Sequence, residues 1–340
     1  MVGYKGKTAG NLRQYIKNKP DKWGFKLFSR ASEDGFIHDM VLYQGATTLP
    51  AHGIPLTPEQ EELGATSQIV TVLASTMNHS STTAIFADNF FSSLEVVRYL
   101  KNNNCRYTVT ARDARIGNPE LPSVKEMGKA TVPRGTYDDL TTDDGILALR
   151  WKDNKVVTML STDLGVAPVS TCLRYSKETK KKEEVICPNV IKSYNANMGG
   201  IDKSDMLVHL YRTPMKSKRW YMRLFAYCID LSVCNAWLAY RRDCKALGDA
   251  KPLNLKLFRL DIFKGTRNIK RVAVQRRSRS FGNGDGNNGG NGGNGTTDSP
   301  TTPKTARGQR SQAPEPSVRF DKTLFHVPIY QSRQPNHKLP

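Results

Sequence analysis

Apolar and polar positions along the first third of the chain change period several times. In FKLFSRASEDGFIHDMVLYQG, residues 25–45, apolar and β-branched residues flank the polar stretch Glu33-Asp34-Gly35, which predicts two strands joined by a turn. ATSQIVTVLASTM, 65–77, shifts to helical spacing at Ile69, Val72 and Leu73. TTAIFADNFFSS, 82–93, predicts a short buried strand ending near Asp88. Ser93 is placed to cap the next helix, LEVVRYLKNNN, and Glu95 favours a helix start. CRYTVTA, 105–111, predicts another strand.

Residues 112–187 mix Gly, Pro and charge, with strand candidates at GILALRW and KVVTMLST and a charged hairpin or loop at LRYSKETKKKEEVI. This stretch reads as a strand-rich insertion. From Pro188 the period turns helical, through PNVIKSYNANMGGIDKSDMLVHLYR and KRWYMRLFAYCIDLSVCNAWLAYRRD. Beyond about residue 266 the chain becomes basic, and GNGDGNNGGNGGNG, 282–295, cannot bury a core. VRFDKTLFHVPIY, 318–330, is an apolar island of the kind that folds or docks.

Charge narrows the partners. The 340 residues carry 51 Lys+Arg against 31 Asp+Glu, a net charge of +20, which points to a polyanion. No apolar run reaches the roughly 18 residues of a membrane span, and MVGYKGKTAG has no apolar secretory core. Nucleic acid is therefore the expected partner, with no membrane and no small-molecule substrate. The six cysteines form no CxxC pair and read as reduced core residues, not as a disulfide frame or a zinc site.

Two carboxylates in GGIDKSDM, Asp202 and Asp205, stand three positions apart and so share a helical face. They need a cation between them: Lys, Arg or a metal. Taken alone, they are first-turn acids with Lys203 and Lys216 as partners, and Asp88 alone is a helix-start residue. Lys216, Lys218, Arg219 and Arg223 surround Trp220 and Tyr221. They make either a solvated helix face or a face that contacts phosphates. Arg276, Arg277 and Arg279 make a short basic run suited to nuclear import or non-specific DNA contact.

Several long blocks in order, GYKGKTAGNLRQYIKNKPDKWGFKLF, FADNFFSSLEVVRYLK, KVVTMLSTD, CPNVIKSYNANMGGIDKSDML and KRWYMRLFAYCIDLSVCNAWLAYRR, resemble the piggyBac transposases and the host proteins derived from them. The resemblance covers Met1 to about Arg242. It implies an α/β fold: an RNase H-like mixed sheet with flanking helices (1–111 and 188–210), interrupted by the insertion (112–187). A helical DNA-binding or dimerisation part (211–265) and a disordered tail (266–340) would follow. It also implies aspartates gathered on two Mg²⁺ ions for excision through hairpin ends and insertion at TTAA. Carried over, Asp88 and Asp202 are the catalytic and metal-binding positions, and Asp205 is a weaker accompanying acid.

The sequence departs from that pattern at both ends. The family's first catalytic aspartate precedes the run matched here by Gly3-Tyr4-Lys5-Gly6, so neither it nor the first part of its core strand is present in these residues. VRFDKTLFHVP resembles the lead-in to the family's zinc module, but no Cys follows, so no zinc is expected. The expectation is a nuclear, DNA-binding, transposable element-derived protein with an impaired centre, for which a second copy is a candidate partner. Two alternatives stand beside it: an active transposase shortened by its gene model, and a domesticated chromatin or interaction scaffold.

Overall fold

The computed structural model describes residues 1–278 except 18, 78–82, 118–119, 177–178 and 249–250, with side chains through Arg267. Strands β1 (Val2–Gly3), β2 (Arg13–Tyr15) and β3 (Trp23–Phe25) form a small antiparallel sheet with β3 in the middle. Gly24 permits this pairing, because a Cβ there would lie 2.2 Å from the Val2 carbonyl oxygen. Strands β4 (Leu27–Ala31) and β5 (Ile37–Leu42) make the hairpin expected from the sequence. Its turn uses Gly35 at φ 97°, and Asp34 accepts a hydrogen bond from the Phe36 amide. Short helices α1 (Thr48–Ala51) and α2 (Pro58–Glu61) lead into α3 (Ala65–Ser75).

Strand β6 (Ala84–Ala87) then starts the main sheet, followed by α4 (Leu94–Asn102) and β7 (Arg106–Ala111). The Ser93 hydroxyl accepts from the Val96 amide at 3.2 Å, as its position predicted. One face of α4 buries Val96, Val97 and Leu100 against Tyr107 and Val109 of β7. Complete burial of each such aliphatic side chain is worth about 1.5–3 kcal/mol.

After α5 (Val124–Met127) come β8 (Tyr137–Thr141), β9 (Leu147–Lys152) and β10 (Val156–Ser161). The five-stranded order is β6-β7-β10-β9-β8, with β6 parallel to β7 and the other pairs antiparallel. The stretch read as an insertion is strand-rich, but β10 pairs directly with β7. The sheet that was expected to pause at 111 thus continues through Ser161. Strands β11 (Ser170–Tyr175) and β12 (Lys182–Cys187) form the charged hairpin.

Four helices complete the described chain: α6 (Asn189–Asn197), α7 (Gly200–Leu210), α8 (Trp220–Ala246) and α9 (Leu255–Ser278). Leu231, Cys234, Trp237 and Leu238 of α8 cluster with Leu207 and Val208 of α7, Ile37 of β5 and Leu255 of α9. Asn235 completes the contact, its amide bonding both the N–H and the C=O of Ile37 and so closing that part of the β5 edge. Helix α9 passes the expected start of the tail at 266 and runs through Ser278. Arg, Lys, Gln, Val and Ala are compatible with that helix despite Gly265. The Gly/Asn-rich segment and the apolar island at 318–330 lie outside the described residues.

The fold has mixed strand directions and packed helices, as expected, but not one continuous mixed sheet. The β4–β5 hairpin is separate from the five-stranded sheet. Helix α3 bridges the two pieces: Val70 and Ala74 pack with the β6–β7 core, while Ile69, Val72 and Leu73 pack with Phe28 and Val41 of the hairpin. Among the described residues, β6 is paired on one side only, and so is β4.

Candidate functional site

Asp88 sits where β6 ends. Its carboxylate accepts from the Phe90 amide at 2.9 Å and so caps the single 3-10 turn Asn89–Phe91. That turn is held from several sides. Arg115 donates to the carbonyls of Asn89, Phe90 and Ser92, and the Tyr107 hydroxyl donates to the Phe91 carbonyl. The Tyr194 hydroxyl donates to Ala87 just before Asp88. Burial, with the Asp88 charge adding to it, pushes the Tyr107 and Tyr194 hydroxyls above the ordinary tyrosine range. Both therefore stay neutral donors. The side chain of Asp88 itself remains exposed on this fixed platform.

Asp202 and Asp205 lie on α7. Gly200 packs this helix against the hairpin turn so closely that a Cβ would come 2.3 Å from the Ser32 carbonyl oxygen. Lys203 ties the same turn down by donating to the Glu33 carbonyl at 2.7 Å. Asp202, in the first turn of α7, is exposed. Asp205 is half-buried, 3.9 Å from the amino group of Met1. Burial chiefly, with Asp205 adding to it, raises the Tyr227 hydroxyl above its usual range.

This donor set can be compared with what Mg²⁺ requires. Mg²⁺ takes near-octahedral oxygen ligands, and a two-metal centre needs carboxylates converging from separate elements. Asp88 already spends one oxygen on its cap. Among the described residues, no group of three or more His, Cys, Asp or Glu side chains is placed to hold a metal. The carboxylates of the described residues do not make a complete Mg²⁺ site.

The basic residues are better organised. Lys216, Lys218 and Arg219 lie exposed on the segment between α7 and α8, and Arg223 lies half-buried in the first turn of α8. None of the four forms an ion pair among the described residues. The segment that carries them is anchored at both faces. Asp230, only 1% exposed, accepts from the Thr213 amide and hydroxyl at 2.8 Å each and pairs with Arg259 of α9 at 2.7 Å. Arg212 reaches Asp21 at 3.9 Å, and the Tyr4 hydroxyl bonds the Lys218 carbonyl. An uncompensated set of cations on an anchored segment is suited to phosphate contact.

Sequence reasoning missed two residues here. Asp230 lies within an amphipathic helix, where an acid reads as solvated, and no local signal marks it as a clamp. Lys26 left a trace: in an extended run it shares a face with Phe28, two positions on. The structure sets its ammonium over aromatic rings beside Asp88. The cysteines form no disulfide among the described residues. Cys234 is core as expected, whereas Cys228 is exposed on the uncharged outer face of α8.

Comparison with known proteins shows the family of the chain. The family model described as Transposase IS4 matches residues 1–237. Human piggyBac transposable element-derived protein 3 is 32% identical over 259 residues, 76% of this chain and 41% of its own length. The human chimeric ERCC6-PGBD3 protein is also 32% identical over 259 residues, 76% of this chain and 23% of its own length. Human piggyBac transposable element-derived protein 2 is 25% identical over 236 residues, 68% of this chain and 38% of its own. The chain belongs to the piggyBac family of transposases and transposable element-derived proteins, and it spans about two fifths of protein 3.

Proposed function

We propose that this chain is a piggyBac-derived DNA-binding protein whose nuclease centre is incomplete. It holds DNA electrostatically through the segment carrying Lys216, Lys218 and Arg219, with Arg223 behind it, and it acts in the nucleus. The observation that carries this reading is the anchored cationic segment without carboxylate partners, in a chain of net charge +20. Asp88 and Asp202 are the positions in these residues that the resemblance assigns to the catalytic set, and Asp205 accompanies them. Two such carboxylates are too few for a symmetric two-metal clamp.

The split of the sheet favours a second reading. β4 and β6 each offer one unpaired edge and are bridged by α3, so a strand between them would join hairpin and sheet into one. If a longer form of the protein supplies that strand with a further carboxylate, it becomes a cut-and-paste transposase dependent on Mg²⁺. One experiment tests the first reading. Supercoiled DNA carrying the element's terminal repeats is incubated with the 340-residue chain in Mg²⁺, and nicking is scored against Asp88→Asn. The first reading predicts nicking at background for both proteins. Robust nicking by the wild-type chain that Asp88→Asn abolishes would sink it.

A further inference from the structure

Lys26 sits just before β4 with its Nζ 4.1 Å from the ring centroid of Phe90, 4.4 Å from Phe28 and 5.0 Å from Tyr43. The rings brace one another: Phe28 stacks on Phe90 at 5.9 Å and meets Tyr43 edge-on at 5.5 Å. Phe90 belongs to the rigid turn that Asp88 caps, so this cage and Asp88 share one piece of backbone. Among the described residues the ammonium makes no hydrogen bond and no ion pair within 4 Å; the rings and the nearby Asp88 charge are its partners.

A lysine head normally stays in water. Three ring faces offset part of the desolvation by cation–π attraction, but they accept none of its three N–H bonds. The result is a fixed charge with its hydrogen-bond donors unused, which calls for an anionic oxygen. Half-burial lowers its pKa below the ordinary lysine range, and Asp88 acts in the opposite direction. Asp88 also creates a need for such a cation. A phosphodiester approaching that exposed carboxylate is repelled unless a positive charge lies beside it.

We propose that Lys26, held by Phe28, Tyr43 and Phe90, is the phosphate-binding residue of the Asp88 platform, donating to a non-bridging oxygen of bound DNA. The inference rests on the DNA-binding reading above and adds a second contact, on a different element from the 216–219 segment. It also explains why aromatic residues crowd the end of a strand whose next residue is an exposed acid. Their ring faces hold the lysine at a fixed place where a flexible surface lysine would be free to turn away.

The test is DNA binding by the full chain, followed against salt for wild type, Lys26→Met and Lys26→Arg. Loss of one phosphate contact should lower the slope of log K against log salt by about 0.9. Lys26→Met should therefore weaken binding several-fold at low salt, and Lys26→Arg should recover most of the loss. A readout that needs no variant guards against misfolding: in wild type, bound DNA should shield Lys26 from reductive methylation relative to the other lysines. Wild-type binding with an unchanged slope in Lys26→Met and no shielding of Lys26 would overturn the Lys26 proposal alone, leaving that ammonium as an internal counter-charge to Asp88. Absence of DNA binding by wild type would overturn the DNA reading, and this proposal with it.

Discussion

Asp230→Ala is expected to destabilise the protein by about 3–5 kcal/mol, the usual cost of removing one partner from a buried ion pair. The cost has identifiable parts. Arg259, 20% exposed at its side chain, loses its carboxylate, and the Thr213 amide and hydroxyl lose their acceptor. Asp230→Asn should cost less, because an amide oxygen still accepts from Thr213. Replacing both charges, Asp230→Leu with Arg259→Met, should recover much of the loss, since a well-packed apolar pair avoids stranding a charge. Urea unfolding of the four proteins measures this. A shift of less than about 1 kcal/mol for Asp230→Ala, the range of an exposed pair, would mean that the cluster is not the anchor described. The same variant should weaken DNA binding under conditions where it remains folded, because it frees the segment that carries Lys216, Lys218 and Arg219.

The adjacent glycines at the start of α7 should behave oppositely. Gly200→Val places a Cβ 2.3 Å from the Ser32 carbonyl oxygen, a backbone atom that cannot swing aside. Helix α7 would have to lift from the β4–β5 turn, at about 1–3 kcal/mol for overpacking and more if the hairpin contact is lost. Gly199 has φ −83° and only the flexible Lys203 side chain within reach, its Cε at 3.8 Å. Gly199→Ala should therefore be neutral, or stabilising by roughly 0.4–1 kcal/mol, because it restricts the unfolded chain. Thermal or urea midpoints of the two variants give the comparison. Equal effects at both positions would mean that α7 is not seated on Ser32 as described, and with it the placement of Asp202 would fall.

Much of the local structure was legible because it is decided within a few residues. Gly35 after Glu33-Asp34 fixed the turn of β4–β5, and Ser93 ahead of an amphipathic run fixed the start of α4. Asp88 was recognisable as a strand-end residue, and its observed hydrogen bond to Phe90 is the local role that position allows. What was not legible depends on long-range register. Nothing near KVVTMLST says that it pairs with CRYTVTA on one side and GILALRW on the other, so β10 was assigned to an insertion. Asp230 and Arg259 are joined only by the packing of α8 on α9. Cys228 was misjudged because α8 is apolar on more of its surface than it buries: Tyr221, Phe225 and Ile229 are exposed as well.

The two kinds of candidate residue differ in what supports them. The basic segment rests on observed anchors and unpaired charge. The acidic positions rest on the resemblance, and the structure adds to it only that Asp88 occupies a rigid, exposed strand end with Lys26 beside it.

The central claim is that this chain binds DNA through its anchored basic segment and Lys26, and the most direct measurement is a DNA titration by the full chain over a range of salt. Each phosphate neutralised contributes about −0.9 to the slope of log K against log salt. Three contacts from Lys216, Lys218 and Arg219 with one from Lys26 predict a slope of about −3 to −4. Alanine at the first three should bring it to about −1. Affinity that does not respond to salt, or a slope unchanged in that triple variant, would contradict the account.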